Sequence, residues 1–166
     1  MELDHSYRVG VEWRGNRGTG TSGYKSYGRE HSVTADGKPE ISGSADRAFH
    51  GDTERWNPEE LLLAALSQCH LLSYLHVAAS HGVVVLAYTD SATGTMRQTG
   101  DGGGRFVSAT LRPVVTIAPG GGDDGDDGDR VLALAESLHA EANAKCFIAA
   151  SVRFPCSTSR PRSCRG

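Results

Sequence analysis

Residues 56–82 read WNPEELLLAALSQCHLLSYLHVAASHG, and this stretch decides the fold. Asn57 stands where an N-cap belongs, Pro58 follows at the first helical position with its φ already fixed, and Glu60 is placed to close a capping box. Trp56 and Leu61 hold the flanking places of a hydrophobic staple, and Gly82 supplies the stop. Leucine and alanine occur all round the helix in between, so it is expected to be enclosed on most sides. Leu61 to Ala79 is long and apolar enough to raise the question of a membrane span. Ser67, Gln68, His70, Ser73 and His76 punctuate it and no second such stretch follows, which favours a buried core helix.

Upstream, SYRVGVEW alternates with Tyr7, Val9, Val11 and Trp13 on one side, the period of a half-buried strand. The glycine-rich turn RGNRGTGTSG ends it, and REHSV and KPEIS flank the turn signal ADG, which predicts a hairpin or short meander. SGSADRAFHGDTER reads as loop. Downstream, VVVLAYTDSATGTM and GRFVSATLRPVVTIAP are rich in β-branched and aromatic residues and predict two or three antiparallel strands. GGGDDGDDGD reads as a solvated loop whose Asp129 caps a second helix, RVLALAESLHAEANAK, leading to Cys146. CFIAASVRF is open between an apolar continuation and a last strand. The pattern is α+β, with antiparallel sheets on a long central helix.

A chain of 166 residues is long enough to bury a core without disulfides or metal, and a single domain over 1–155 is expected, with 156–166 a disordered basic tail. Seventeen basic residues against 20 acidic ones leave a net charge of −3, which argues against nucleic acid or an anionic membrane as partner. The N-terminal residues have neither the basic nor the apolar region of a secretory signal, so a cytoplasmic location is expected. In a reducing compartment the four cysteines are inert core residues or redox and catalytic groups, rather than a disulfide framework.

Three binding patterns fail on mechanism. GTGTSG matches the dinucleotide pattern, but no helix opens after it to receive a pyrophosphate. The aspartates of GGGDDGDDGD miss the alternate spacing of a calcium loop. Cys69, His70, His139 and Cys146 are chemically suited to zinc, yet adjacent Cys-His is not a recurrent ligand spacing. No cofactor or resident metal is therefore expected.

Taken together, WNPEELLLAALSQCHLLSYL, AEANAKCFIAASVRFP and EWRGNRGTGTSGY resemble the OsmC/Ohr family of thiol-dependent peroxidases, in the right order and over most of residues 7 to 155. The resemblance implies an intertwined two-fold dimer, Cys69 as peroxidatic thiol, Cys146 as resolving thiol, Arg17 as the cationic partner of the thiolate and Glu59 as the acid that orients Arg17. Arg14 and Arg29 are the alternatives to Arg17. It also implies an organic hydroperoxide as substrate and a lipoyl or thioredoxin-like dithiol as reductant. The rival readings are a non-enzymatic OsmC-like protein that senses oxidants or binds a ligand, and a zinc-dependent hydrolase. After Phe154 and Pro155 the chain departs from the family pattern, leaving Cys156 and Cys164 without assigned counterparts.

The implied chemistry makes physical sense. A thiol of ordinary pKa is mostly protonated at neutral pH, and only the thiolate attacks peroxide. Cys69 lies beyond first-turn reach of the helix dipole, so the helix cannot supply the stabilisation, whereas a fixed guanidinium can. Glu59 and Cys69 are ten residues apart on one helix, about 15 Å along its axis, so one arginine cannot meet both within a straight helix. The acid–arginine pair of one subunit is then expected to meet Cys69 of the other. Leu66, Leu72 and Tyr74 are candidate pocket walls, and His70 is either a hydrogen-bonded structural residue or a catalytic acid.

Overall fold

The computed structural model describes residues 3–119, 125–159 and 162–165, and divides into two compact units, Met1–Leu62 and Leu63–Gly166. In the first, β1 (Gly10–Trp13), β2 (His31–Thr34) and β3 (Ile41–Gly43) form an antiparallel meander in that order, with Val11 opposite Val33 and Val33 opposite Ile41. The ADG turn behaves as predicted: Gly37 takes a φ of 71°, where a side chain would be strained, and the Lys38 N–H returns to the Ala35 carbonyl at 3.1 Å. β1 is shorter than the alternation suggests and is not half-buried. Tyr7, Val9 and Val11 are 90%, 67% and 68% exposed.

The glycine-rich turn folds on itself. Asn16 Oδ1 accepts the N–H groups of Gly18 and Gly20 at 2.9 and 3.0 Å, and the chain returns through Gly28, whose N–H donates to the Gly15 carbonyl at 2.8 Å. A Cβ on Gly15 would come within 2.0 Å of the Gly28 oxygen, so only glycine fits this crossing. The turn leads into β2 and not into a helix, consistent with the rejection of a dinucleotide site.

Helix α1 (Pro58–Ser80) begins where the capping signals place it. The Glu60 N–H donates to Asn57 Oδ1 at 2.8 Å and the Asn57 N–H to Glu60 Oε2 at 3.2 Å, a closed capping box. At the other end Gly82 takes a φ of 74° and the Val83 N–H returns to the Ala78 carbonyl at 2.9 Å. Enclosure is met on one face only: Leu66, His70, Tyr74, Val77 and Ala78 are buried, at helical spacing, whereas Leu72 is 66% exposed. By length and composition α1 would also suffice to cross a membrane; its packed face and capped ends are those of a core helix.

In the second unit β4 (Val85–Thr89) and β7 (Val114–Ile117) pair antiparallel, as do β5 (Thr93–Gln98) and β6 (Gly104–Leu111), giving four strands where the sequence suggested two or three. Helix α2 (Gly125–Ala144) starts earlier than expected, so Asp129 lies inside it and does not cap it. The predicted acidic loop extends over residues 120–129; the part at 120–124 lies outside the described residues, and the rest is helical, where acidic residues suit a helix's positive end. CFIAASVRF becomes neither of the expected forms but a short helix, α3 (Phe147–Ser151), with Cys146 at its N-cap. Tyr74, Val77 and Ala78 of α1, Val115 and Ile117 of β7, and Ala135, Leu138 and Ala142 of α2 form the core.

The tail expectation is corrected. β8 (Cys156–Thr158) adds to β6 and β9 (Arg162–Arg165) adds to β7, both parallel, in sheets ordered β5-β6-β8 and β4-β7-β9. The polar, basic composition of this segment hides its strand character, because what holds it is backbone pairing to strand edges that β6 and β7 leave open. The contacts Ala109 N–H to Pro155 carbonyl (3.1 Å) and Ser159 N–H to Leu111 carbonyl (2.9 Å) begin and end the first addition.

Candidate active site

The two thiols that the sequence brings forward meet. Cys69, in the middle of α1, is partly exposed, and Cys146 is 1% exposed. The two side chains lie close enough to interact. Each sulfur also receives a backbone donor from α3: the Ile148 N–H points to Cys69 Sγ at 3.5 Å and the Ala149 N–H to Cys146 Sγ at 3.4 Å. Burial, then the neighbouring Cys69, pushes the Cys146 thiol up to about 11, so Cys146 keeps its proton at neutral pH. α1 supplies one sulfur and the α2–α3 junction the other, an approach that only packing creates.

The three arginines separate clearly. Arg14 is engaged by two surface carboxylates, with Glu12 at 3.2 Å and Glu40 at 3.1 Å. Arg17, 60% exposed at its side chain, pairs with Glu30 at 3.8 Å and not with Glu59. Arg29 is held firmly: its guanidinium donates to the carbonyls of Tyr27 (2.6 Å) and Tyr24 (2.8 Å) and lies over both rings, 4.2 Å from the Tyr27 centroid and 4.6 Å from that of Tyr24. Arg29 and Glu59 line one cavity of about 320 Å³ with Trp13, Tyr27, His31 and Phe49. Glu59 Oε2 is covered there and has no hydrogen-bond partner among the described residues. The sequence contained this signal in the aromatic spacing around YGREH, but spacing alone could not show that stacking fixes Arg29.

The candidate wall residues do not share a surface. Leu66 and Tyr74 turn into the core, 1% and 0% exposed, while Leu72 turns outward. His70 is buried and structural in its contacts: its Nε2 lies 3.0 Å from His139 Nδ1, with the two rings stacked 5.3 Å apart. Tyr74 stacks on His139 at 4.1 Å and donates its hydroxyl to the Ala135 carbonyl at 3.0 Å. Burial lowers the pKa of His70, and burial together with the neighbouring His70 takes His139 down to about 4. Both rings are therefore neutral at pH 7. Sequence reasoning grouped these histidines with the cysteines; the structure separates a thiol pair from an imidazole pair. Among the described residues no group of three or more His, Cys, Asp or Glu is arranged to hold a metal.

Residues 50–159 match the family model of the OsmC-like proteins, and the chain belongs to that family. The fold resembles an OsmC-like protein of unknown function from Vibrio cholerae, with a TM-score of 0.76, 27% identity, and coverage of 94% of this chain and 99% of that one. It also resembles an organic hydroperoxide resistance protein OsmC from Legionella pneumophila, with a TM-score of 0.62, 17% identity and 98% of each chain covered. The organic hydroperoxide resistance protein OhrB of Bacillus subtilis gives a TM-score of 0.56 at 20% identity, covering 96% of this chain and 98% of that one. Comparison with curated proteins finds no significant match.

Proposed function

We propose that the chain is a thiol-dependent peroxidase that reduces organic hydroperoxides. One observation carries this: a partly exposed thiol and a buried thiol from distant parts of the sequence lie side by side, each facing a backbone N–H of α3. Cys69, as thiolate, attacks the terminal oxygen of ROOH; the O–O bond breaks, ROH leaves after taking a proton, and Cys69 becomes a sulfenic acid. Cys146 then attacks the Cys69 sulfur, water departs, and a disulfide forms before further oxidation can occur. An external dithiol of lipoyl or thioredoxin type, available in a reducing cytoplasm, restores both thiols.

Arg29 is a better partner for Glu59 than Arg17, because it is held in the same cavity while Arg17 is engaged at the surface by Glu30. α1 is continuous, so Glu59 and Cys69 remain about 15 Å apart along it. The reading therefore includes a two-fold dimer in which the Glu59–arginine cavity of one subunit serves Cys69 of the other. Support for the dimer comes from uncovered apolar side chains on β1, just before it and on α1, including Val11, Val9 and Leu72. Trp13, Tyr27 and Phe49 give that cavity an apolar wall suited to an alkyl or aryl tail. The hydroperoxide resistance proteins of similar fold agree with this substrate class.

Stopped-flow oxidation with cumene hydroperoxide is the test. Rapid loss of one thiol followed by a Cys69–Cys146 disulfide, with hydrogen peroxide reacting more slowly, is the expected result. Inertness toward cumene hydroperoxide would instead favour a non-enzymatic sensing or binding protein.

A further inference from the structure

The thiol pair is asymmetric in a way that bears on how it is reduced. A disulfide has two electrophilic sulfurs, and an incoming thiolate must approach one of them along the extension of the S–S bond. Cys146 is 1% exposed, at the N-cap of α3, with the Ala149 N–H directed at its sulfur. Cys69 lies on α1 and is partly exposed. Resting on the peroxidase reading, we propose that the reducing dithiol attacks the Cys69 sulfur, so that the mixed disulfide forms on Cys69 and Cys146 is the thiol released.

The step balances as follows. The donor thiolate bonds to Cys69 Sγ, the Cys69–Cys146 bond breaks, and its electron pair goes to Cys146 Sγ, which takes up a proton. The donor's second thiolate then attacks its own sulfur in the mixed disulfide, closing the donor's disulfide and releasing Cys69 as thiolate. Burial makes Cys146 a poorer leaving group than an ordinary thiol, which works against this direction. Burial of the alternative sulfur to 1% exposure is the stronger discrimination, because an incoming thiolate reaches it only if the surrounding structure opens. The Ala149 N–H, already aimed at Cys146 Sγ, offsets part of the leaving-group disadvantage.

The full chain is oxidised with diamide to form the Cys69–Cys146 disulfide, so that peroxide reactivity does not enter the measurement. The disulfide is treated briefly with 2-mercaptoethanol, a probe small enough to give the buried sulfur its best chance, and quenched at pH 2 in guanidinium. Released thiols are alkylated with N-ethylmaleimide and the peptides mapped by mass. The expected result is an adduct on Cys69 and alkylation on Cys146, in at least tenfold excess over the reverse pattern. An adduct mainly on Cys146, or an equal mixture, would overturn the proposal. Inertness toward cumene hydroperoxide in a parallel experiment would remove the peroxidase reading while leaving the site of thiol attack decided by the map.

Discussion

The buried imidazole pair makes the protein acid-sensitive through one identifiable pair. His139 is 1% exposed and sits against His70 and the Tyr74 ring, and its pKa falls from 6.5 to about 4 through burial and then the neighbouring His70. Between those two values the unfolded chain binds a proton that the folded chain refuses, so stability falls as pH falls. The contribution is fully present above pH 6.5 and gone below pH 4. At about 1.4 kcal/mol per unit, a drop to pH 4.5 removes about 3 kcal/mol, a large share of a typical domain's stability. The lowered pKa of His70 acts in the same direction. The other groups facing the pair are Tyr74, whose hydroxyl is satisfied by the Ala135 carbonyl, and Asp90, whose charge weakly favours a proton on His70. Urea unfolding at one protein concentration, followed by circular dichroism at pH 7.0 and 4.5, is compared for the wild type and for His70→Leu/His139→Leu. Replacing both rings removes the titration without orphaning either partner. The double variant should lose about 3 kcal/mol less than the wild type between the two pH values. The exposed carboxylates Asp52, Asp101 and Glu141, whose pKa values are lowered by hydrogen bonds, titrate in both proteins and cancel. Equal losses in the two proteins would refute the argument.

Three further outcomes are expected. Cys69→Ser should abolish peroxide turnover, and Cys146→Ser should permit a single oxidation that halts at the sulfenic or sulfinic acid, both visible by intact mass; continued cycling of either variant with a dithiol donor would remove the assignment. Arg29→Ala should raise the Cys69 thiol pKa measured by pH-dependent alkylation of the full chain, while Arg17→Ala leaves it nearly unchanged; the reverse pattern would return the role to Arg17. Asn57→Ala opens the capping box of α1 and should cost about 1 kcal/mol in urea unfolding, and an unchanged midpoint would mean that the box adds nothing measurable.

Local sequence was enough to determine the elements whose causes are local. Asn57, Pro58, Glu60 and Gly82 set the ends of α1 because capping acts over three or four residues, and Gly37 marks its turn because the backbone there needs a positive φ. The motifs around Cys69 and Cys146 were also legible, and with them the family. Tertiary structure alone decided the rest. The polar segment after Pro155 becomes two strands because β6 and β7 offer unpaired edges, a property of the sheets and not of the segment. His70 joins His139 rather than the thiols because successive residues on α1 point about 100° apart, sending Cys69 and His70 to different neighbours. Arg29 is stacked on two tyrosines and shares a cavity with Glu59 while Arg17 pairs with Glu30, and none of these contacts has a signature in residue spacing. Charge, periodicity and caps are written along the chain; which buried groups face one another is settled only when separate elements pack.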